Sequence, residues 1–259
     1  MTERFERRER KGIHFTQRDR EIVQAVFYAR YLTSRQVARL FFKNTLSSSC
    51  KKRVRYLFDK GYLKKRLVNP SELDIYYLGL QGRHYIAQTV DSYPQDVVDK
   101  IAGVGGEGEV VSLMVRHELA LSSLYVSAIM QCLQFGWQLV WQNTRMLELQ
   151  RLGVQPDAYF QAYNRKAFIE FTAVLPSRSE MQRKLDGYLP LLEQRGGVPI
   201  LWFTTSKAKL EYLFKTAKGW LYQDYILFGL IEDNNEFLTK PIWKWSEQKE
   251  PVPFIALKV

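Results

Sequence analysis

Residues 47–68 of the chain read SSSCKKRVRYLFDKGYLKKRLV. The first part predicts a helix from about Ser48 to Lys60, and Gly61 suits a left-handed residue just beyond the helix end. The apolar side chains of this helix share one face and are predicted to be buried: Val54, Leu57 and Phe58. The second part, Tyr62–Val68, is typical of a β-strand, and Asp74–Leu78 is its predicted hairpin partner across the turn-forming residues NPSE at 69–72.

Two further helices are predicted upstream. Residues 16–19, TQRD, indicate a capping-box start, and Thr33-Ser34 starts a second, shorter helix. Apolar residues at helical spacing are predicted to face inward: Ile22, Val23, Val26, Phe27 and Tyr31, then Val37, Ala38, Leu40 and Phe41. Helix, turn, helix, helix and hairpin is the plan of a winged helix-turn-helix, with the third helix in the DNA major groove and the hairpin as the wing. A helix from about Leu80 to Thr89 completes it.

The charge distribution favours the same interpretation. The chain carries 38 Lys and Arg against 27 Asp and Glu, a net charge of +11. Residues 1–68 hold 19 of the bases and 6 of the acids, a net +13, so the remainder is at −2. Such a concentrated basic segment attracts a polyanion, and nucleic acid is the leading candidate ahead of an acidic membrane. No apolar run reaches the roughly 18 residues that span a bilayer, and the expected location is the cytoplasm.

The third helix and its flanks hold most of the predicted DNA contacts. Hydroxyls at a helix N-terminus suit phosphate oxygens, and Lys and Arg reach guanine acceptors or the backbone. The predicted DNA-binding residues are Arg35, Ser47, Ser48, Ser49, Lys51, Lys52, Arg53, Arg55, Lys64, Lys65 and Arg66. The other interpretation is a solvated basic face on an ordinary helical module. The charged arm, residues 1–14, is predicted to be either a minor-groove arm or a salt-bridged helix.

The rest of the chain predicts a second domain. Residues 91–109, with glycines at 103, 105, 106 and 108, are predicted to be a linker between a domain at 1–90 and an α/β domain at 110–259. Helices are expected at 110–135, 180–194 and 207–216, and strands at 137–141, 157–162, 167–172, 198–204 and 225–230. The fold class is therefore α+β: a winged helix-turn-helix followed by an α/β domain.

Three carboxylates in the second half resemble the metal-binding set of the PD-(D/E)xK nuclease core. Glu118, Asp157 and Glu170 would hold Mg²⁺, which prefers oxygen ligands and polarises a phosphoryl oxygen. Thr172 stands where the motif has Lys, and Lys184 on the following helix is the candidate replacement. We therefore expect a restriction-endonuclease-like core without catalysis or cofactor. A Mg²⁺-dependent endonuclease targeted by the winged helix is the alternative.

The remaining reactive side chains are predicted to be structural. Only three histidines are present, and His117 is expected to hydrogen-bond within the fold, although its place beside Glu118 also suits a general base or ligand. Cys50 and Cys132 are too few for a disulfide framework or a zinc site and are expected to be core thiols.

Taken together, the motifs resemble the replication-relaxation family of plasmids and other mobile elements. The matching segments are TQRD at 16–19, LTSRQ at 32–36, Arg53 with Leu57 and GYL at 61–63, YYL at 76–78, HELAL at 117–121, PDAYF at 156–160 and FIE at 168–170. The resemblance implies a winged helix and a nuclease-like domain used in plasmid replication control, transfer or transcription. Thr172 departs from the family pattern, which has a second acid there.

Aromatic residues crowd the C-terminal third of the chain. They either fill the core or form an interface, since Trp and Tyr are favoured interface anchors. The residues concerned are Trp202, Phe203, Tyr212, Phe214, Trp220, Tyr222, Tyr225, Phe228, Trp243 and Trp245. The sequence thus predicts a sequence-specific double-stranded DNA-binding protein that controls transcription, replication or transfer of a mobile element. A homodimer and a docked replication or transfer protein are the possible protein partners.

Overall fold

The computed structural model describes residues 14–66, 74–90, 93–102, 112–194, 197–240, 243 and 253–254. The fold is mixed helix and sheet, with one sheet in each half of the chain. The charged arm, the hairpin tip at 67–73, the four glycines of the expected linker and Trp245 lie outside the described residues.

The first half carries helices around a small antiparallel sheet. In order they are α1 (Gln17–Ala29), β1 (Leu32–Thr33), α2 (Ser34–Phe41), α3 (Ser48–Asp59), β2 (Leu63–Arg66), β3 (Ile75–Leu78) and α4 (Leu80–Thr89). The strand order is β1-β3-β2, with β3 antiparallel to both neighbours. The predicted helices and the hairpin pairing are confirmed, and the two-residue β1 is an addition that sequence patterning missed.

Capping residues place the helix starts where the sequence predicts them. The Asp19 carboxylate accepts hydrogen bonds from the backbone N–H of Thr16 (2.6 Å) and from its hydroxyl (2.8 Å). In the same way, the Gln36 amide oxygen accepts hydrogen bonds from the backbone N–H and the hydroxyl of Thr33. The bonds donated by the two backbone N–H groups satisfy donors that the first helical turn leaves unpaired.

Phe58 was expected to be buried, and that prediction is wrong. Its side chain is 44% exposed, while Cys50, Val54 and Leu57 form the buried face of α3. These three lie at helical spacings of four and three residues, which leaves Phe58 one position beyond the stripe. The expected left-handed residue after α3 is confirmed at Gly61, with φ of 74°.

Part of the expected linker is a helix. Residues Gln95–Ala102 form α5, which packs on α4 and buries Val98 and Ile101 completely. The apolar spacing of Val97, Val98 and Ile101 is helical, but the glycines that follow obscured it.

The second half is a five-stranded sheet with helices on both faces. Its elements are α6 (Ser112–Phe135), β4 (Leu139–Asn143), α7 (Thr144–Glu148), β5 (Ala158–Ala162), β6 (Arg165–Thr172), α8 (Arg178–Gln194), β7 (Ile200–Thr204), α9 (Lys207–Ala217) and β8 (Ile226–Leu230). Short 3-10 helices occupy Gln223–Tyr225 and Ile231–Glu236. The order is β4-β5-β6-β7-β8, antiparallel through β6 and parallel from β6 to β8. Apart from α7, the two 3-10 helices and small shifts of boundary, these elements were predicted.

The sheet separates two apolar cores. One lies against α8 and α9; the other includes α6 and continues into the first half, joining Ile22 and Val26 to Leu124 and Phe160. The core interpretation of the C-terminal aromatics is confirmed for Trp202, Phe203, Trp220, Phe228 and Trp243, all of which are buried. No helix in the described ranges has the length and apolarity needed to cross a membrane.

Candidate functional site

The outer face of α3 is a continuous exposed surface with three cationic side chains. It results from the inward stripe of α3, because residues on the side of the helix opposite Cys50, Val54 and Leu57 point to solvent. We call it the α3 basic face; its members are Ser48, Ser49, Lys51, Lys52 and Arg55, and all five are exposed. Arg55 lies 3.7 Å from Asp59, an exposed pair that holds its guanidinium only weakly.

Arg53 points away from the α3 basic face. Its Nε lies 3.2 Å from Oδ1 of the fully buried Asp19, and its guanidinium donates to the backbone oxygen of His14 at 3.3 Å. With its side chain 21% exposed, Arg53 ties α3 to the start of α1. The sequence pattern grouped it with its basic neighbours because a lone buried partner 34 residues away leaves no local signal.

The other predicted DNA-contacting residues lie on α2, at the start of α3 and on β2. The Ser47 hydroxyl accepts a hydrogen bond from the Cys50 N–H (3.2 Å) and so caps α3. Arg35 is exposed on α2 and Lys64 on β2, while Arg66 is half-buried. Lys65 Nζ lies 3.0 Å from Oδ1 of Asp74, the residue just before the paired strand β3. Between α3 and this hairpin lies a groove of about 610 Å³, lined by Lys51, Arg55, Phe58, Lys65 and Asp74 among others.

The second half caps the C-terminal end of α1. Asn143 Nδ2 donates to the backbone oxygens of Phe27 (3.3 Å) and Tyr28 (3.1 Å), and the Ser122 hydroxyl donates to that of Ala29 (3.3 Å). These carbonyls have no partner within the helix. Arg30 follows with φ of 65°, and its guanidinium pairs with Glu118 on α6. Side chains about a hundred residues away in sequence thus fix this end of α1.

The predicted carboxylates converge beside a cavity at the end of β6. The cavity measures about 600 Å³, and His117, Glu118, Thr172, Lys184 and Trp202 are among its lining residues. Asp157 Oδ2 accepts from the Phe171 N–H (2.8 Å) and lies 3.2 Å from His117 Nε2. Glu170, 1% exposed, accepts from the Lys184 ammonium and the Tyr188 hydroxyl. The internal hydrogen bond expected of His117 is present, and Lys184 contacts Glu170.

Burial and neighbouring charges have opposing effects on the pKa values of Glu170, Asp157 and His117. Burial raises the pKa of Glu170 to about 8, against the lowering effect of the Lys184 charge. Burial also favours a higher pKa for Asp157, but the His117 hydrogen bond, the Lys184 charge and the Phe171 N–H outweigh it and lower that pKa. The pKa of His117 is raised, because its Asp157 contact outweighs the effect of burial.

A sequence model of the replication-relaxation family matches residues 24–199, which include α2, α3, the hairpin, α6 and the carboxylates. The chain belongs to the replication-relaxation family. Membership indicates a role related to the replication or transfer of a plasmid or other mobile element. No curated protein and no solved structure matches the chain.

In this replication-relaxation protein the carboxylates do not fit a divalent metal. Within the described ranges, no three His, Cys, Asp or Glu side chains stand close enough together to hold one. Glu118, Asp157 and Glu170 are each paired with a protein side chain instead: Arg30, His117 and Lys184 respectively. Thr172 accepts a hydrogen bond from Trp202 Nε1 at 2.8 Å, so the position of the motif lysine is used in packing.

Proposed function

We propose that this member of the replication-relaxation family is a sequence-specific double-stranded DNA-binding protein. Its first half acts as a winged helix-turn-helix, with α3 in the major groove and the β2–β3 hairpin as the wing. The plasmid or mobile element whose replication, transfer or transcription it serves supplies the target duplex. The α3 basic face is the observation that carries this proposal.

Charge and accessibility support the docking. Ser48 and Ser49 lie in the first turn of α3, where backbone N–H groups and the helix dipole favour phosphate oxygens. Lys51, Lys52 and Arg55 lie on the following turns of the same exposed face, with reach to base edges or the backbone. The exposed Arg55–Asp59 pair costs little to break when Arg55 turns to a phosphate.

The second half is proposed to be a restriction-endonuclease-like core without catalysis. The antiparallel strands β4, β5 and β6, the connecting helix α8 and the parallel β7 support this assignment. Without a catalytic role, it would serve homodimerisation or docking of a replication or transfer protein. Trp202, Phe203, Phe228 and Trp243 are buried within the monomer, so a dimer surface must use other residues.

The DNA-binding proposal is tested with duplexes selected from a random pool by the full-length protein. We expect the double variant Lys51→Ala/Arg55→Ala to bind the selected duplex at least about tenfold more weakly in fluorescence anisotropy, with a salt slope lower by about two units. Each phosphate contact releases counterions from the DNA when the protein binds. A variant with fewer contacts releases fewer of them, and its affinity therefore depends less on the salt concentration.

The matched control is Lys207→Ala/Arg178→Ala, which removes the same charge from exposed positions at the starts of α9 and α8. This control should bind almost as the wild type does. Equal affinities for the α3 double variant and the wild type would refute the proposed docking.

A further inference from the structure

Asp157, the residue before β5, lies near enough to Glu170 on β6 for its charge to raise the pKa of Glu170. The register pairs Ala158 with Ile169, so Asp157 lies opposite Glu170 at the end of that pairing. Both carboxylates are largely withdrawn from water, with side chains 16% and 1% exposed. Once Glu170 is ionised, above about pH 8, two buried negative charges lie together, and a cation beside them offsets their mutual repulsion and lost hydration.

The protein supplies that cation itself. Lys184 reaches from α8 to the Glu170 carboxylate, and its charge also lowers the pKa of Asp157. The same ammonium lies 5.9 Å from the centre of the Trp202 ring, within reach of a favourable cation–π contact. His117 approaches Asp157 from α6 on the other side.

We propose that the Lys184 ammonium is the resident cation of the Asp157–Glu170 pair and takes the position that a divalent metal ion would otherwise need to occupy. Lys184 thereby excludes divalent metals from these two carboxylates, and His117 beside Asp157 supplies a second counter-charge when it is protonated. The inference is independent of DNA binding by α3, because it concerns only α6, α8 and the β5–β6 pairing.

Removing Lys184 should therefore create a metal site that the wild type lacks. In Lys184→Met, two neighbouring carboxylates remain without their ammonium, and oxygen ligands of this kind attract Mn²⁺ and Mg²⁺. At about pH 8.5, we expect about 1 mM Mn²⁺ to raise the melting temperature of Lys184→Met by about 4 °C, and to leave the wild type unchanged. Electron paramagnetic resonance of free Mn²⁺ should show about one equivalent bound to the variant only.

Two controls separate this effect from a general change of charge. Lys215→Met removes an exposed lysine from α9 and should gain no Mn²⁺ binding. Lys184→Met/Glu170→Gln removes one of the two carboxylates and should lose the gained binding.

The proposal is overturned if the wild type itself binds Mn²⁺, or if a folded Lys184→Met binds none. Lys184→Gln, which keeps a hydrogen-bond donor towards Glu170 while losing the charge, is the second variant in case Lys184→Met does not fold. If neither variant folds alone, both are refolded with Mn²⁺ present: recovery of the fold supports the proposal, and failure to recover it counts against it.

Discussion

Glu170 lies inside the sheet between the Lys184 ammonium and the Tyr188 hydroxyl, and burial raises its pKa from about 4.5 to about 8. Between pH 4.5 and about pH 8, the Glu170 side chain keeps its proton in the native protein but has released it in the unfolded chain. Its contribution to stability is therefore present below about pH 4.5 and is lost as the pH rises towards 8. The raised pKa of His117 acts with the same sign, whereas the lowered pKa of Asp157 matters only at the acid end.

The variant Glu170→Gln cannot titrate at this position and should have a flatter pH dependence of stability. We expect the melting temperature of the wild type to fall between pH 6 and 8 by about 5 °C more than that of Glu170→Gln. Differential scanning calorimetry across this range measures the difference. Glu193→Gln, at an exposed position on α8, should keep the wild-type slope. Parallel slopes for Glu170→Gln and the wild type would show that Glu170 keeps an ordinary proton affinity.

At the scale of elements, α1 depends on a residue from β4. Asn143 donates to two carbonyls at the end of α1, and its amide oxygen also accepts from the N–H groups of Arg145 (3.1 Å) and Met146 (3.2 Å) at the start of α7. Asn143→Ala removes all four bonds from a buried site, so we expect a loss of about 2–4 kcal/mol in the free energy of unfolding. The shift of the urea midpoint at constant slope measures it.

Asn143→Asp separates the two roles. The aspartate keeps the oxygen that caps α7, but it has no donor for the α1 carbonyls and sets a negative charge beside them. We expect Asn143→Asp to be destabilised as well, through the end of α1. Wild-type stability in Asn143→Asp would mean that the bonds to Phe27 and Tyr28 contribute little.

The elements were predictable where the signal was local. Capping at Thr16 and Thr33, the burial of Val54 and Leu57 on α3 and the glycine after α3 depend on neighbours within about four residues, and these predictions are confirmed, whereas the burial of Phe58 is not. Long-range contacts left no such signal. The pairing of Arg53 with Asp19 and the capping of α1 by Asn143 join residues 34 and about 115 positions apart, and neither was foreseen.

The carboxylate cluster shows the same division. The resemblance to a nuclease core brought Glu118, Asp157, Glu170 and Lys184 to attention, and the fold does gather them at the end of β6. Their pairing with Arg30, His117 and Lys184 follows from packing between α1, α6 and α8, which residue spacing does not encode. Thus the residues of the cluster could be predicted from the sequence, but the ion pairs and shifted pKa values of its carboxylates could not.

At the scale of the whole molecule, one apolar core joins the two predicted domains. Ile22 and Val26 of α1 belong to the same buried cluster as Leu124 of α6 and Phe160 of β5, and Ser122, Asn143 and Glu118 add polar contacts across it. Neither half can therefore lose its structure without exposing apolar surface of the other. We expect the full chain to unfold in one calorimetric transition, with a van't Hoff enthalpy equal to the calorimetric one. Two resolved transitions, one of them shifted alone by Asn143→Ala, would instead show that the first half folds as an independent unit.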